Sequence, residues 1–293
     1  MPEVSVVVPA YDAAGFLPAA LESVFAQDFP DFEVVVVDDG SRDATPAVIA
    51  GYAARVRSFR QDNAGVAAAR NRGVRESRGR YVAFLDADDS WRRDKLSRQL
   101  AALRRQPAAR ASASAFDVTD ESGVVVERRG GPFEGPVLEV LVVEGNLLGT
   151  PSSMLCEREL LLELGGFDPR FSQCADWDLW IRLAQATSVA MLPEPLVCYR
   201  QHAGNMSRSI ALLEADSVGV LEKTFGGASV APVLRPLRRQ AFARNYRILA
   251  GSYYRARAFS GFLRCAMRAL LLDPREAAYF AAFPLRAGRR RLG

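Results

Sequence analysis

The chain has 293 residues, 49% hydrophobic and 25% charged, which excludes disorder over most of its length and leaves room for one large α/β domain with a smaller appendage. It holds no run of about 18 apolar residues and enters a strand-like Val4-Ser5-Val6-Val7-Val8 with neither a basic leader nor a cleavage site, so the expected location is cytoplasmic. The net charge of +4 divides unevenly, with 22 basic and 29 acidic side chains in residues 1–206 and 16 and 5 in residues 207–293.

Residues 4–9 read as a buried strand. Residues 13–27 follow as a helix with Phe16, Leu17, Leu21, Val24 and Phe25 on one face, and residues 32–37 as a second buried strand. A helix over 45–55, capped by Asp43 or Ser41, leads to a short strand near 56–60; 64–78 is a third helix and 81–85 a further strand. Strands separated by helices imply right-handed crossovers and a mostly parallel sheet flanked by helices, with ligands bound beyond the carboxyl ends of the strands. Tyr11, Asp38-Asp39 and the cluster Asp86-Ala87-Asp88-Asp89 each stand there, one after each of three apolar strands.

The middle is less regular. A helix over 94–105, a strand over 111–118 and a hairpin turn at Asp120-Glu121-Ser122-Gly123 lead to residues 124–128. Residues 130–149 read as loop with one short helix at 137–144, followed by helices at 157–164 and 176–186. After residue 206 the pattern is helical only, with 237–254 and 256–272 as an antiparallel pair closed by Asp273-Pro274. The expected organisation is therefore a domain over 1–206 and an all-α C-terminal extension over 207–293. Cys156, Cys174, Cys198 and Cys265 form no CxxC pair and read as structural thiols. Arg286, Arg289, Arg290 and Arg291 make either a solvated tail or a basic strip for anionic lipid or nucleic acid.

Three acids within Asp86 to Asp89 repel one another unless a cation or a hydrogen-bond donor balances them, which points to a divalent metal with a phosphate beside it. The competing reading is a helix cap followed by a solvated turn. In an extended chain Asp86 and Asp88 share a face, and oxygen ligands suit Mg²⁺ or Mn²⁺. Pro9-Ala10-Tyr11 leaves small backbone atoms and one ring at the mouth of the sheet, suited to packing on a nucleotide base. Asp39 can accept from a pyrimidine imide N–H, while Asp38 fits a role in holding the turn that follows. Arg70 has two roles open to it, a contact to the ligand or an ion pair with the 86–89 cluster.

Four segments stand in a telling order: Val4-Ser5-Val6-Val7-Val8-Pro9-Ala10-Tyr11, Val37-Asp38-Asp39-Gly40-Ser41-Arg42-Asp43, Asn63-Ala64-Gly65-Val66-Ala67-Ala68-Ala69-Arg70-Asn71 and Phe84-Leu85-Asp86-Ala87-Asp88-Asp89. Together they resemble the nucleotide-sugar-binding half of the family 2 glycosyltransferases, which have the GT-A fold. A fifth, Gly165-Gly166-Phe167-Asp168 through Ala175-Asp176-Trp177-Asp178-Leu179-Trp180, resembles the acceptor half of that family. The resemblance covers roughly residues 3–207.

It implies a metal-dependent, inverting transferase. The donor would be a nucleotide-diphosphate sugar, a UDP-sugar by expectation, and the acceptor a saccharide, lipid-linked or other hydroxyl in cell-envelope polysaccharide or glycoconjugate synthesis. Within it, the resemblance implies Asp88 as ligand to Mn²⁺ or Mg²⁺ and Asp86 and Ala87 as nucleotide contacts. His202, the single histidine, is a second candidate ligand, and Arg200 a diphosphate clamp. Asp176, before Trp177, takes the place of the family's base, although Ala175 stands where an acid is usual; Asp178 is the fallback. Trp177 and Trp180 read as a sugar platform or as core, and Asp89 as the cap of a helix entered at Ser90 and Trp91. The tail would pack against the first domain or contact anionic lipid at the inner face of the membrane, and no nucleic-acid partner is expected. Two other classes compete: a catalytically weak nucleotide-sugar-binding scaffold, which the joint presence of Asp39, Asp88 and Asp176 disfavours, and a sugar nucleotidylyltransferase. The latter wants a Gly-rich phosphate loop that residues 9–15 lack.

Overall fold

The computed structural model describes residues 1–202, 209–227 and 231–281. They belong to two compact units, Met1–Val137 with Asn146–Asn205, and Leu138–Gly145 with the chain from Met206 onward. Among the described residues no helix is long and apolar enough to cross a membrane. The arginines at 286 and 289–291, on which the lipid contact was expected to rest, lie outside the described residues.

The first unit is built on one nine-stranded sheet. Its first half comes from β1 (Val4–Ala10), β2 (Phe32–Asp38), β3 (Arg57–Arg60) and β4 (Tyr81–Phe84), all parallel, in the order β3-β2-β1-β4. The valine-rich runs of β1 and β2 are buried on both faces, as parallel strands covered by helices must be. The helices between them are α1 (Leu17–Phe25), α2 (Thr45–Gly51) and α3 (Val66–Glu76). α3 lies so close to β1 that a Cβ on Gly73 would sit 2.2 Å from Val7 Cγ1, so only glycine fits there. The chain steps to β2 on one side of β1 and later to β4 on the other, and such a reversal opens a crevice at the carboxyl ends of the strands.

The second half of the sheet is mixed. β8 (Met154–Glu157) pairs antiparallel with β4, and β6 (Ala109–Thr119) antiparallel with β8. β9 (Ser188–Arg200) runs parallel to β6 along its whole length, with register shifts near Ala115 and Pro195, and β7 (Val125–Arg129) forms the expected hairpin on β6. The sequence pattern had marked neither β8 nor β9 as strands. A further correction concerns Ser90 and Trp91, which form β5 (Ser90–Trp91), antiparallel to Cys198 and Val197, instead of opening a helix. The helix there, α4 (Lys95–Arg105), starts after Asp94, so Asp89 is not its cap.

α5 (Val137–Glu144) coincides with the expected short helix. α6 (Arg158–Glu163) and α7 (Ala175–Ala186) complete the first unit. In the second unit α8 (Ile210–Gly226), α9 (Arg238–Arg255), α10 (Phe259–Leu272) and α11 (Ala277–Ala281) surround a small core of Leu249, Ala250, Cys265 and Ala266 packed by Tyr246, Tyr253 and Phe262.

Candidate active site

The turns after β1, β2 and β4 converge, and each acidic residue in them has identifiable partners. Asp38 is buried, accepts from Ser41 N at 2.9 Å and pairs with Arg60 NH1 at 2.7 Å, the structural role expected of it. Asp39 holds the segment before α3: Oδ1 accepts from Gln61 Nε2 at 2.7 Å and Ala64 N at 3.0 Å, and Oδ2 from Gly65 N at 2.8 Å. A carboxylate oxygen offers two lone pairs, so Oδ2 retains one for a further donor. Pro9 and Ala10 are buried at the end of β1, and Tyr11 is 45% exposed beside them.

Arg70, buried inside α3, donates from NH2 to Asp86 Oδ1 at 2.6 Å and lies 5.3 Å from the Phe167 ring. Of the two roles open to Arg70, the ion pair with the 86–89 cluster is thus present, and its buried Nε has no hydrogen-bond partner. Around Asp86 two residues appear that sequence reasoning missed. Ser152 Oγ accepts from Asp86 N at 3.0 Å and donates to Asp89 Oδ2 at 2.6 Å, while Thr150 Oγ1 reaches Asp86 Oδ2 at 3.4 Å. Asp89 Oδ1 also accepts from Arg200 N at 3.2 Å. Asp89 is therefore the buried pin between the acidic turn, the 150–153 turn and the end of β9. Burial, reinforced by Asp88 and Asp86, pushes its carboxyl well above the ordinary range.

Asp88 points to the single histidine. Its Oδ2 lies 3.0 Å from His202 Nε2, and the imidazole stacks on Phe16 with ring centroids 4.5 Å apart. Burial and the Asp86 carboxylate raise the Asp88 pKa, against the opposing pull of His202. Ala87 is buried between the two acids, and the Arg200 guanidinium carbon lies 5.9 Å from the Phe16 ring. Among the described residues no three His, Cys, Asp or Glu side chains converge as a complete cage.

Asp176 stands in the first turn of α7. Its Oδ1 accepts from Trp177 N at 2.8 Å and its Oδ2 from Asn146 Nδ2 at 2.8 Å; Asn146 is itself locked by a two-way exchange with the Gly149 backbone. Burial drives the Asp176 carboxyl up to about 6, opposed by the nearby Arg70 charge and raised further by Asp86, so Asp176 shares the electrostatic neighbourhood of the acidic turn. Asp178 is committed elsewhere, accepting twice from Arg182, whose guanidinium also holds Leu164 O and Gly166 O. Trp177 and Trp180 are both buried, and Trp180 packs edge-on against Phe167 at 6.0 Å. Phe167 is fixed by an amide clasp, with Asn71 Nδ2 donating to Phe167 O at 2.7 Å and Asn71 Oδ1 accepting from Phe167 N at 2.8 Å. Gly166, at φ +70°, lies where a Cβ would meet Asn71 Oδ1 at 2.3 Å.

Comparison with known proteins gives the chain a family and a fold. The family model for glycosyl transferase family 2 matches residues 5–161. TuaG of Bacillus subtilis (strain 168), named as a teichuronic acid biosynthesis glycosyltransferase, is 38% identical over 112 residues, 37% of this chain and 44% of TuaG. ExoO of Rhizobium meliloti (strain 1021), named as a succinoglycan biosynthesis protein, is 47% identical over 102 residues, 34% of this chain and 29% of ExoO. The chain thus matches less than half the length of either relative. Among solved structures, S. aureus TarS 1-349 in complex with UDP superposes with a TM-score of 0.59 at 16% identity over 90% of each chain. The mannosyltransferase PcManGT from Pyrobaculum calidifontis, in complex with GDP-Man and Mn²⁺, gives 0.61 at 20% identity over 100% of this chain and 81% of its own. These two likenesses show a common fold, the GT-A fold.

Proposed function

We propose that this chain, which belongs to glycosyl transferase family 2, moves a sugar from a nucleotide-diphosphate donor to an acceptor hydroxyl in cell-envelope polysaccharide synthesis, with inversion at the anomeric carbon. The observation that carries the proposal is the placement of Asp176. It is a carboxylate held at both oxygens, raised to about 6, and within electrostatic reach of Arg70 and Asp86. Such a group is largely ionised at neutral pH yet basic enough to take a proton, which is the requirement for a general base. Asp176 removes the acceptor hydroxyl proton as that oxygen bonds to the anomeric carbon. The bond to the diphosphate breaks on the opposite face, and its electron pair leaves with the nucleotide.

The nucleotide side is assigned to the strand ends. Tyr11 packs on the base beside Pro9 and Ala10, and the remaining lone pair of Asp39 Oδ2 accepts an imide N–H, which favours a uridine donor. Structures of TarS hold UDP and UDP-GlcNAc, and that of PcManGT holds GDP-Man with Mn²⁺, in agreement with a donor of this class. Arg70 fixes Asp86 for the ribose side next to Ala87, and Arg200 serves the diphosphate.

Asp88 and His202 fit a divalent metal. They supply one oxygen and one nitrogen donor, from the turn before β5 and the segment after β9, where burial and neighbouring carboxylates raise the pKa values of Asp88 and Asp89 and so favour an added positive charge. A bound Mn²⁺ or Mg²⁺ would neutralise charge on the departing diphosphate. With two protein donors, the remaining ligands would be diphosphate oxygens and water.

The test is Asp176→Asn with a panel of nucleotide sugars and Mn²⁺. Donor binding should persist while turnover falls by about 10²–10⁴-fold. Turnover within a few-fold of the parent overturns the base assignment, and donor binding without turnover in the parent would identify a scaffold.

A further inference from the structure

α10 is built inside out. The face it turns to α9 carries small residues, Gly261, Cys265, Ala266 and Ala269, all buried. The approach is close: a Cβ on Gly261 would lie 2.5 Å from the Tyr253 ring. Its large apolar residues point the other way. Phe259 is 57% exposed, Leu263 58%, Met267 60% and Leu271 79%. Each follows the last by four positions, so they form one stripe about 18 Å long on a single helix face. A helix of a water-surrounded bundle normally does the reverse and buries its bulky apolar side chains. Four large side chains aligned in solvent are an interaction surface, whereas scattered ones would need no explanation.

Charge identifies the kind of partner. From Arg238 to Leu272, through α9 and α10, the chain carries eight arginines and no acidic residue. Arg264 and Arg268 run beside the stripe at 47% and 49% side-chain exposure, tethered to Glu214 of α8. Arg255 and Arg257 are exposed at the turn that leads into α10. A second copy of this chain would set like charge against like charge across the stripe.

We propose that this face of α10 docks on an anionic lipid bilayer. The side chains from Phe259 to Leu271 enter the boundary between headgroups and acyl chains, and the arginines along the edge meet lipid phosphates. An apolar stripe gains from any bilayer, but the arginines gain only from an anionic one. The two features together therefore select a charged membrane surface. This inference is independent of the sugar-transfer reading, because it uses no residue of the first unit.

Co-sedimentation of the full chain with vesicles tests it. The chain should pellet with phosphatidylglycerol–phosphatidylcholine vesicles and remain in solution with phosphatidylcholine alone. The double variant Leu263→Glu/Met267→Glu, altered at exposed positions, should unfold at the parent's temperature and bind about tenfold more weakly or worse. Arg255→Gln/Arg257→Gln should weaken binding most at low salt. Substituting Gln at Arg286, Arg289, Arg290 and Arg291 should leave the α10 contribution in place. Equal pelleting of the Leu263/Met267 variant, equal binding to neutral vesicles, or a dimer of the parent that this variant dissolves would each overturn the proposal.

Discussion

Replacing Asn146 by alanine perturbs Asp176 without touching it. Asn146 Nδ2 donates to Asp176 Oδ2 at 2.8 Å, one of two hydrogen bonds that stabilise the ionised carboxylate, and burial already holds its pKa near 6. A hydrogen bond to a charged group contributes about 1.5–3 kcal/mol, which corresponds to a rise of about one to two pH units when it is lost. Water admitted by the smaller side chain recovers part of this, so the expected displacement is about one unit. A general base works in its ionised form. In the parent, kcat/KM should therefore fall as pH drops through about 6, and in Asn146→Ala through about 7. The assay is the pH profile of kcat/KM for nucleotide release from the best donor. Loosening of the Asn146–Gly149 turn would by itself lower the rate equally at every pH. An acidic limb that stays in place, or moves to lower pH, refutes the role given to Asp176.

Lys95 is fully buried, its Nζ 2.6 Å from Gln99 Oε1, and burial lowers its pKa to about 7 from an ordinary 10.5. Between these values the unfolded chain binds the proton and the folded one does not, so stability should rise with pH across that window. Lys95→Met should stabilise most below pH 7, by about 3–5 kcal/mol as an upper bound, and least near pH 10.5; a melting-temperature difference that is constant with pH contradicts this. Gly73→Ala drives a Cβ into Val7 and should cost about 1–3 kcal/mol in urea unfolding, with an unchanged midpoint counting against the close approach. His202→Ala should raise the Mn²⁺ concentration needed for donor binding by about tenfold or more, and an identical Mn²⁺ titration would remove His202 from the ligand set.

The parallel half of the fold was legible because its strands advertise themselves. The Val-rich runs of β1 and β2, doubly covered, leave no other reading, and the acids after them fall at the strand ends by topology alone. The mixed half was not. β8 is four residues long, and β9 is broken by Pro193 and Pro195 where its register against β6 shifts, so neither shows a sustained period. Asp89 was misread for a local reason: an acid before Ser-Trp has the chemistry of a helix cap, and only pairing with Cys198 and Val197, more than 100 residues away, makes that pair a strand. Thr150, Ser152 and Asn146 sit in a Gly- and Pro-containing stretch where polar residues ordinarily mean loop. Their hydrogen bonds reach back 61 to 66 residues to the acidic turn and forward 30 to Asp176. For Arg70 the sequence left two roles open, of which the ion pair is the one that burial beside Asp86 makes visible.

The amide of Asn71 clasps the backbone of Phe167 in the manner of a strand pairing with its neighbour. The match to the family model ends at residue 161, on the near side of that clasp. A chain shortened to the model-matched segment would keep all four nucleotide-side motifs. It would leave the Asn71 amide unmatched, strip the aromatic ring from the face of Arg70 and remove β9, the strand that lies along all of β6. The portion that the family model matches is thus smaller than the network of contacts that holds the site. Boundaries for expression, domain swapping or fusion are better drawn after β9 than at the end of the family-model match.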